Sequence, residues 1–331
     1  VEEPTPDPKS GEVVVSVKSV GVCGSDVHYY KQGRIGTQRA VYPQPLGHEC
    51  AGVVERTGTV NRLREGVRVA VEPGQSCRTC EHCLAGYHNR CPEVKFLASP
   101  GMPGAFADAL LVREEQLVPL PENMSYDEGA MMEPLGVGYH AVCLSEMKPG
   151  NTVAVWGTGP IGLVTAAVAR AAGAGEIFMF DRLQYRLDFA SRTYAVDHAV
   201  NIESSAPLEY LMDHTHGRGT DISFEAAGEQ ESFNNAAASA RIGGRVLIIG
   251  IPEVDMLSID PHGMRKRELL VQNVRRSNHA LAPCIDLVGR GTVDISGLAT
   301  HHFNLNQIDQ AFSTVESYGD GVLRAMIVNG E

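Results

Sequence analysis

Thr152-Val153-Ala154-Val155-Trp156-Gly157-Thr158-Gly159-Pro160-Ile161-Gly162 is the stretch whose reading decides the fold. The first five residues form a short apolar run that reads as a buried strand. The three glycines that follow, spaced G-x-G-x-x-G, allow a tight turn, close backbone approach to a pyrophosphate, and close helix packing. Small residues continue to about Ala172 and read as the helix, whose N-terminus faces the phosphate charge. Alone this motif is a weak signal, because glycine turns are common. Here a second strand over 176–180 runs into Asp181, at the distance where an acid binds the ribose 2′-hydroxyl. Gly157, Gly159, Pro160, Ile161, Gly162, Asp181 and Arg182 are therefore the expected cofactor site. Asp181 favours NAD over NADP, since a 2′-phosphate would meet a like charge, and the adjoining Arg182 softens that exclusion. Arg186 reads equally as a lining residue of the adenosine pocket or as part of a solvated helix face.

Outward from that stretch, strands and helices alternate: a helix from about 183, a strand at 221–225, a helix near 230–240 and a strand at 245–249. The alternation specifies an α/β domain with a doubly wound parallel sheet. The rhythm changes near Pro149-Gly150. On the N-terminal side, 13–20, 52–56 and 67–71 read as short strands among Gly and Pro turns, so residues 1 to about 120 form a β-rich, loop-rich domain. Ser125-Tyr126-Asp127-Glu128 fits a capping box that opens a helix. Beyond about Val274 the pattern is mixed again, with helices near 280–288 and 307–317 and a strand at 322–328 that returns to the first domain.

The 331 residues are 43% hydrophobic, enough for two cores. The net charge of −12 and the lack of a basic tract speak against nucleic acid as a partner. No apolar run is long enough to span a bilayer. The chain opens on Val1 and carries no signal-peptide pattern. Four of its eight cysteines stand at Cys77, Cys80, Cys83 and Cys91. Four thiolates at this spacing close a tetrahedral zinc site and leave no open position, so that site is structural. The contiguous lobe argues for a reducing, cytoplasmic compartment. His82 and His88 read as surface residues of the lobe, and Cys50, Cys143 and Cys284 as small core residues. A second donor set is less compact. Cys23, His48 and Glu49 offer a thiolate, an imidazole and a carboxylate, which can hold a metal with a position left open.

Cys23 with His48-Glu49, the four-cysteine lobe, and a nucleotide fold placed after both resemble the zinc-dependent medium-chain dehydrogenase family. The resemblance spans nearly the whole chain. It is closest to the sorbitol (polyol) dehydrogenase branch through Gly21-Val22-Cys23-Gly24-Ser25-Asp26-Val27-His28, Tyr30-x-x-Gly33-Arg34-Ile35-Gly36, Gly47-His48-Glu49 and Glu133-Pro134-Leu135-x-Val137-Gly138. It implies a GroES-like catalytic domain from residues 1–135 and 276–331, including the zinc lobe 77–91, around an inserted Rossmann domain, 136–275. The family's first strand would begin ahead of Val1.

By the same resemblance, Cys23 and His48 are catalytic zinc ligands and either Glu49 or Glu133 completes the shell. Ser25 hydrogen-bonds the substrate hydroxyl and starts a proton relay that His28 extends. Asp26 orients His48, and Tyr30 lines the substrate cleft. Arg275 matches the branch's substrate-binding arginine. Arg276 stands where the branch has an aromatic residue, which points either to a sugar acid or to an ion pair at a subunit interface. The implied activity is hydride transfer from a secondary hydroxyl of a polyol to NAD, with two zinc ions per chain, in a homo-oligomer that is a tetramer in much of the family. An aldonate, threonine or a diol is the alternative substrate. A catalytically silent NAD-binding scaffold is the alternative of another class, and it predicts a lost zinc ligand or glycine loop where all are present.

Overall fold

The computed structural model describes residues 4–330. The chain divides into two units. The first holds the described residues up to Glu133, then Asn278–Gly291 and everything from Ile295; the second holds Pro134–Ser277 and Thr292–Asp294. In chain order the elements are β1 (Glu12–Gly21), α1 (Gly24–Gln32), β2 (Glu49–Thr57), β3 (Arg68–Val71), β4 (Ala109–Arg113), β5 (Leu117–Pro119), α2 (Tyr126–Ala130) and α3 (Met132–Leu144). Then come β6 (Thr152–Trp156), α4 (Pro160–Ala171), β7 (Glu176–Asp181), α5 (Gln184–Tyr194), β8 (His198–Asn201), α6 (Pro207–His214), β9 (Thr220–Glu225), α7 (Gln230–Ser239), β10 (Ala240–Ile248), α8 (Pro261–Lys266) and β11 (Leu270–Asn273). The chain closes with α9 (Leu281–Gly289), β12 (Ala299–Phe303), α10 (Ile308–Ser317) and β13 (Arg324–Val328). Two-residue strands, single 3-10 turns and one short helix, Glu81–Leu84, fill the loops between them.

In the first unit the sheet runs β12-β13-β1-β2-β3-β5, with β4 also paired to β1. The last strand therefore joins the first, in the register Ser19↔Val328. β1 is a valine strand. Val13, Val14, Val15 and Val17 are all buried, because the sheet curls round them and both faces are covered. The expected capping box opens α2: Ser125 Oγ accepts from the Glu128 amide at 3.1 Å, and Glu128 Oε2 accepts from the Ser125 amide at 2.7 Å.

The second unit carries a six-stranded sheet, β8-β7-β6-β9-β10-β11, parallel throughout. From β6 the chain winds outward to β7 and β8; from β9 it winds the other way to β10 and β11. The direction of winding therefore reverses between β6 and β9, which is where such sheets bind ligands. Trp156 stacks on Phe180 with ring centroids 4.0 Å apart and donates its indole N–H to Ser239 Oγ at 3.1 Å, so its one polar atom is satisfied in the core. Two strands, β8 and β11, escape the sequence reading. Both are short, and at the sheet's outer positions they mix polar with apolar residues and lack an apolar run. Cys143 also departs from expectation. Cys50 and Cys284 are buried, but Cys143 lies on a solvent-facing turn of α3.

Asp221 ties together the entering ends of three strands. It accepts from the Thr152 amide (2.9 Å), Arg218 Nη2 (2.6 Å) and Arg241 Nε (2.7 Å). Burial opposes its charge, but these donors outweigh burial and hold the carboxyl at about 2, below an ordinary 3.8. A depressed folded-state pKa gives stability that is complete above the unfolded value and is lost as pH falls toward the folded one. Asp221→Asn is accordingly expected to cost about 1–2 kcal/mol at neutral pH. In thermal melts the gap from the parent should close between about pH 4 and pH 2.

Candidate metal centres and nucleotide loop

The open donor set is built by sheet register. β1 ends at Gly21, which faces Glu49, the first residue of β2. The chain leaves β1 through Val22 into Cys23, the N-cap of α1, and enters β2 through Gly47 and His48. The two strand ends thus carry Cys23, His48 and Glu49 to one point, with one potential ligand atom from each lying within 4.8 Å of the others. Asp26 fastens both approaches. Its Oδ2 accepts from the Cys23 amide at 3.0 Å and its Oδ1 from the Gly47 amide at 3.0 Å. Oδ1 also lies 3.5 Å from His48 Nδ1. A proton held on Nδ1 by Asp26 leaves Nε2 to face a metal, the usual support for a metal-bound imidazole. Asp26→Ala is expected to weaken zinc binding at this site about 10–100-fold while leaving the cysteine lobe loaded, as read by competition with a chromogenic chelator.

Arg324, on β13, makes an ion pair with Glu49, and both side chains are 5% exposed or less. Burial works against the Cys23 thiolate, but the charge and hydrogen bond of His48, and then Arg324, bring the thiol down to about 6. Burial likewise opposes charge on His48, yet Asp26 and Cys23 raise it well above its ordinary value. Cys23, Asp26 and Glu49 stand round the Arg324 guanidinium, and Glu133 approaches from the Cys50 side. With His48 deprotonated, as a zinc ligand must be, the acids outnumber that guanidinium, and a dication offsets the excess. The donor types and the charge deficit both fit zinc.

Glu133, in the first turn of α3, is also buried, yet it is not among the group within mutual ligand distance. Burial pushes the Cys50 thiol up to about 12, and the Glu133 carboxylate adds to that rise, so Glu133 faces the pocket from the Cys50 side. Ser25 and His28 are half-buried on α1, three residues apart and thus on one helical face. Tyr30 is 56% exposed, and its ring lies 5.0 Å from that of Phe312 on α10. Arg275 and Arg276 follow β11 in the second unit, and Arg276 takes a left-handed backbone (φ 55°).

The four-cysteine lobe folds round its sulfurs. The sulfurs of Cys77, Cys80, Cys83 and Cys91 lie within 4.8 Å of one another. Cys77 Sγ and Cys83 Sγ are 4.0 Å apart, near the ~3.8 Å edge of a zinc–thiolate tetrahedron and far beyond a disulfide bond. Backbone amides of Cys77, Cys80 and Cys83 point at the sulfurs of Cys91, Cys77 and Cys80 at 3.4–3.5 Å, and at Cys77 backbone donors bring the thiol down to about 6. This set is closed, whereas Cys23, His48 and Glu49 leave a position open.

In the second unit, Gly157-Thr158-Gly159 links β6 to α4, with Gly159 as N-cap and Pro160 in the first turn. Asp181 ends β7, and its Oδ2 accepts from the Thr158 amide at 2.7 Å while Oδ1 accepts from Leu183 at 2.9 Å. The acid thus holds the glycine loop in place and presents its remaining lone pairs beside it. Arg186 places its guanidinium against the loop: a Cβ added to Gly159 would sit 3.6 Å from Arg186 Nη1. Arg182 is exposed. Arg324 and Glu225 were not singled out by the sequence reading. Arg324 leaves a trace, as the single charge inside an otherwise apolar strand.

Two family models match the chain: the alcohol dehydrogenase GroES-like domain over residues 9–122 and the zinc-binding dehydrogenase over 160–290. The chain is 37% identical to sorbitol dehydrogenase of Bacillus subtilis (strain 168) over 325 residues, 98% of this chain and 92% of that one. It is 35% identical to L-idonate 5-dehydrogenase of Vitis vinifera, over 94% of this chain and 86% of the relative. Among solved structures, a short chain alcohol dehydrogenase from E. coli CFT073 complexed with NADH superposes with a TM-score of 0.91 at 27% identity, covering 99% and 95% of the two chains. The chain belongs to the zinc-dependent medium-chain alcohol dehydrogenase family, with a GroES-like domain and a Rossmann domain. Among the described residues, no helix is long and apolar enough to cross a membrane.

Proposed function

We propose that the protein is an NAD-dependent polyol dehydrogenase that oxidises a secondary hydroxyl to a ketone. The observation that carries this reading is the open donor set of Cys23, His48 and Glu49 braced by Asp26. Zinc held there supplies the Lewis acidity that lowers a hydroxyl's pKa toward neutrality. Ser25 takes the substrate's hydroxyl proton as it hands its own to His28, on the same helical face, which releases a proton toward solvent. Glu133, outside direct ligand distance, offers an alternative exit for that one proton, while Glu49 would provide the carboxylate of the shell. Tyr30, Arg275 and Arg276 contribute to substrate choice. Bound NAD supplies the hydride acceptor, and the glycine loop with Asp181, Arg182 and Arg186 holds its adenosine and pyrophosphate. Asp181→Asn is expected to shift the NADP-to-NAD ratio of kcat/KM about tenfold toward NADP, since one like-charge contact is removed.

A second reading takes a sugar acid as substrate. The consecutive arginines Arg275 and Arg276 favour it, because a guanidinium's planar fork suits a carboxylate, and the Vitis vinifera relative is an L-idonate 5-dehydrogenase. A homo-oligomer, a tetramer by family resemblance, is supported by β11, an outer strand that leaves Leu270 and Val271 exposed. The deciding experiment is an initial-rate panel with NAD and NADP against sorbitol, xylitol, galactitol, arabinitol, threonine and aldonates, with and without a chelator. Chelator-sensitive turnover of polyols supports the proposal. Turnover of aldonates alone selects the second reading, and no turnover with any of them defeats both.

A further inference from the structure

Glu225 is a buried carboxylate that no step above uses. It closes β9 at 1% exposure, between Trp156 of β6 and Ile248 of β10. Its Oε1 accepts three hydrogen bonds: from the amides of Ala227 (2.8 Å) and Gly228 (2.7 Å) and from Ser232 Oγ (2.6 Å). Its carbonyl accepts the amides of Ile249 (2.8 Å) and Gly250 (3.1 Å). One residue thus organises the loop after β9 and the loop after β10. The loop after β9 abuts the glycine loop, and the loop after β10 abuts the loop after β9, both without slack. A Cβ at Gly157 would lie 2.8 Å from the Ala227 nitrogen, and one at Gly250 only 2.2 Å from the Gly228 nitrogen.

The sheet order says which part of a dinucleotide meets these loops. A dinucleotide crosses the carboxyl edge of the sheet where the winding reverses, between β6 and β9. Asp181, at the end of β7, takes the adenosine ribose. The other nucleotide half then falls on the β9 and β10 side, against residues 226–228 and 250–251. We propose that Glu225 is a positioning residue for the nicotinamide half of the cofactor, acting through those two loops and touching neither substrate nor the reacting atoms. Its carboxylate fixes amides that would otherwise be free to turn, so the loops meet the nicotinamide nucleotide in one conformation. This inference rests on the cofactor reading above.

The test separates the two halves of the cofactor. NADH binding is followed by fluorescence, and AMP, which carries only the adenosine half, is titrated as its competitor. Glu225→Asp withdraws the carboxylate by one methylene and is expected to weaken NADH about tenfold or more, the loss of one to two hydrogen bonds to a charged acceptor, while AMP affinity changes less than about twofold. Glu225→Gln keeps an acceptor for the Ala227 and Gly228 amides and should retain NADH affinity within about threefold. Equal weakening of AMP and NADH in Glu225→Asp, or unchanged NADH binding in that variant, overturns the proposal, because a general packing role predicts the first and an idle carboxylate the second. Parent protein that binds neither NADH nor AMP fails the cofactor reading itself, a result distinct from both.

Discussion

Replacing Cys23 by alanine is expected to reduce bound zinc from two ions per chain, one for each donor set, to one, and to lower kcat/KM for a secondary alcohol about 10³-fold or more. The open set has three donors, and Cys23 is the only sulfur among them. Without it, His48 and Glu49 remain, and Glu49 already faces Arg324. Two ligands do not hold zinc against water, whereas the closed lobe keeps all four of its thiolates. Metal analysis and rate thus move together: one zinc is lost with the activity, and one stays with the fold. Removing Cys91 instead opens the closed lobe. Its zinc contributes folding free energy, so that variant should lose solubility or melt early. A Cys23→Ala protein that retains both ions, or that turns over at the parent rate with one, would contradict the assignment of the open site as catalytic.

How legible this site was depended on how its residues are arranged along the chain. The cysteine lobe and the glycine loop are local motifs, each inside fifteen residues or fewer; spacing alone picked out the lobe, and the loop stood out only together with Asp181. The strand Thr152–Trp156 has the bounds expected from its apolar run. Cys23 and His48-Glu49 are separated by more than twenty residues and meet only through the β1–β2 register. The sequence offered their donor types, while their convergence on one point belongs to the sheet. Arg324 lies far along the chain and reaches the site because β13 pairs with β1. A single arginine in an apolar strand was visible, but nothing local said that its partner would be Glu49. β8 and β11 were illegible for a different reason. An outer strand in a parallel sheet has less apolar surface to bury, so the composition that marks the central strands is diluted there. Cys143 shows the limit of residue-type averages: cysteines are buried as a class, and this one sits on a helix turn that faces out.

The pair Arg324–Glu49 gives the second large effect, and its sign depends on the metal. Both side chains are buried, and the same guanidinium also acts on the Cys23 thiol. Arg324→Met keeps the length of the side chain and removes its charge. In protein stripped of the open-site zinc, Glu49 is then left buried without its guanidinium, and unfolding free energy is expected to fall by about 3–5 kcal/mol. In zinc-loaded protein the dication compensates part of that charge, so the loss should be smaller. Linkage turns the difference into a prediction about binding. If the substitution destabilises the zinc-free form more than the loaded form, the variant must bind zinc more tightly than the parent, by the same free energy. Arg324→Met is therefore expected to weaken the fold and strengthen the metal site together. Urea titrations of loaded and chelator-treated protein measure the first effect, and competition with a chromogenic chelator measures the second. Adding Glu49→Gln should recover much of the zinc-free loss, because the carboxylate that Arg324 neutralised is then uncharged. Equal destabilisation with and without zinc would mean that Arg324 supports β13 by packing alone, and that the charge of this pocket is balanced by something other than the metal.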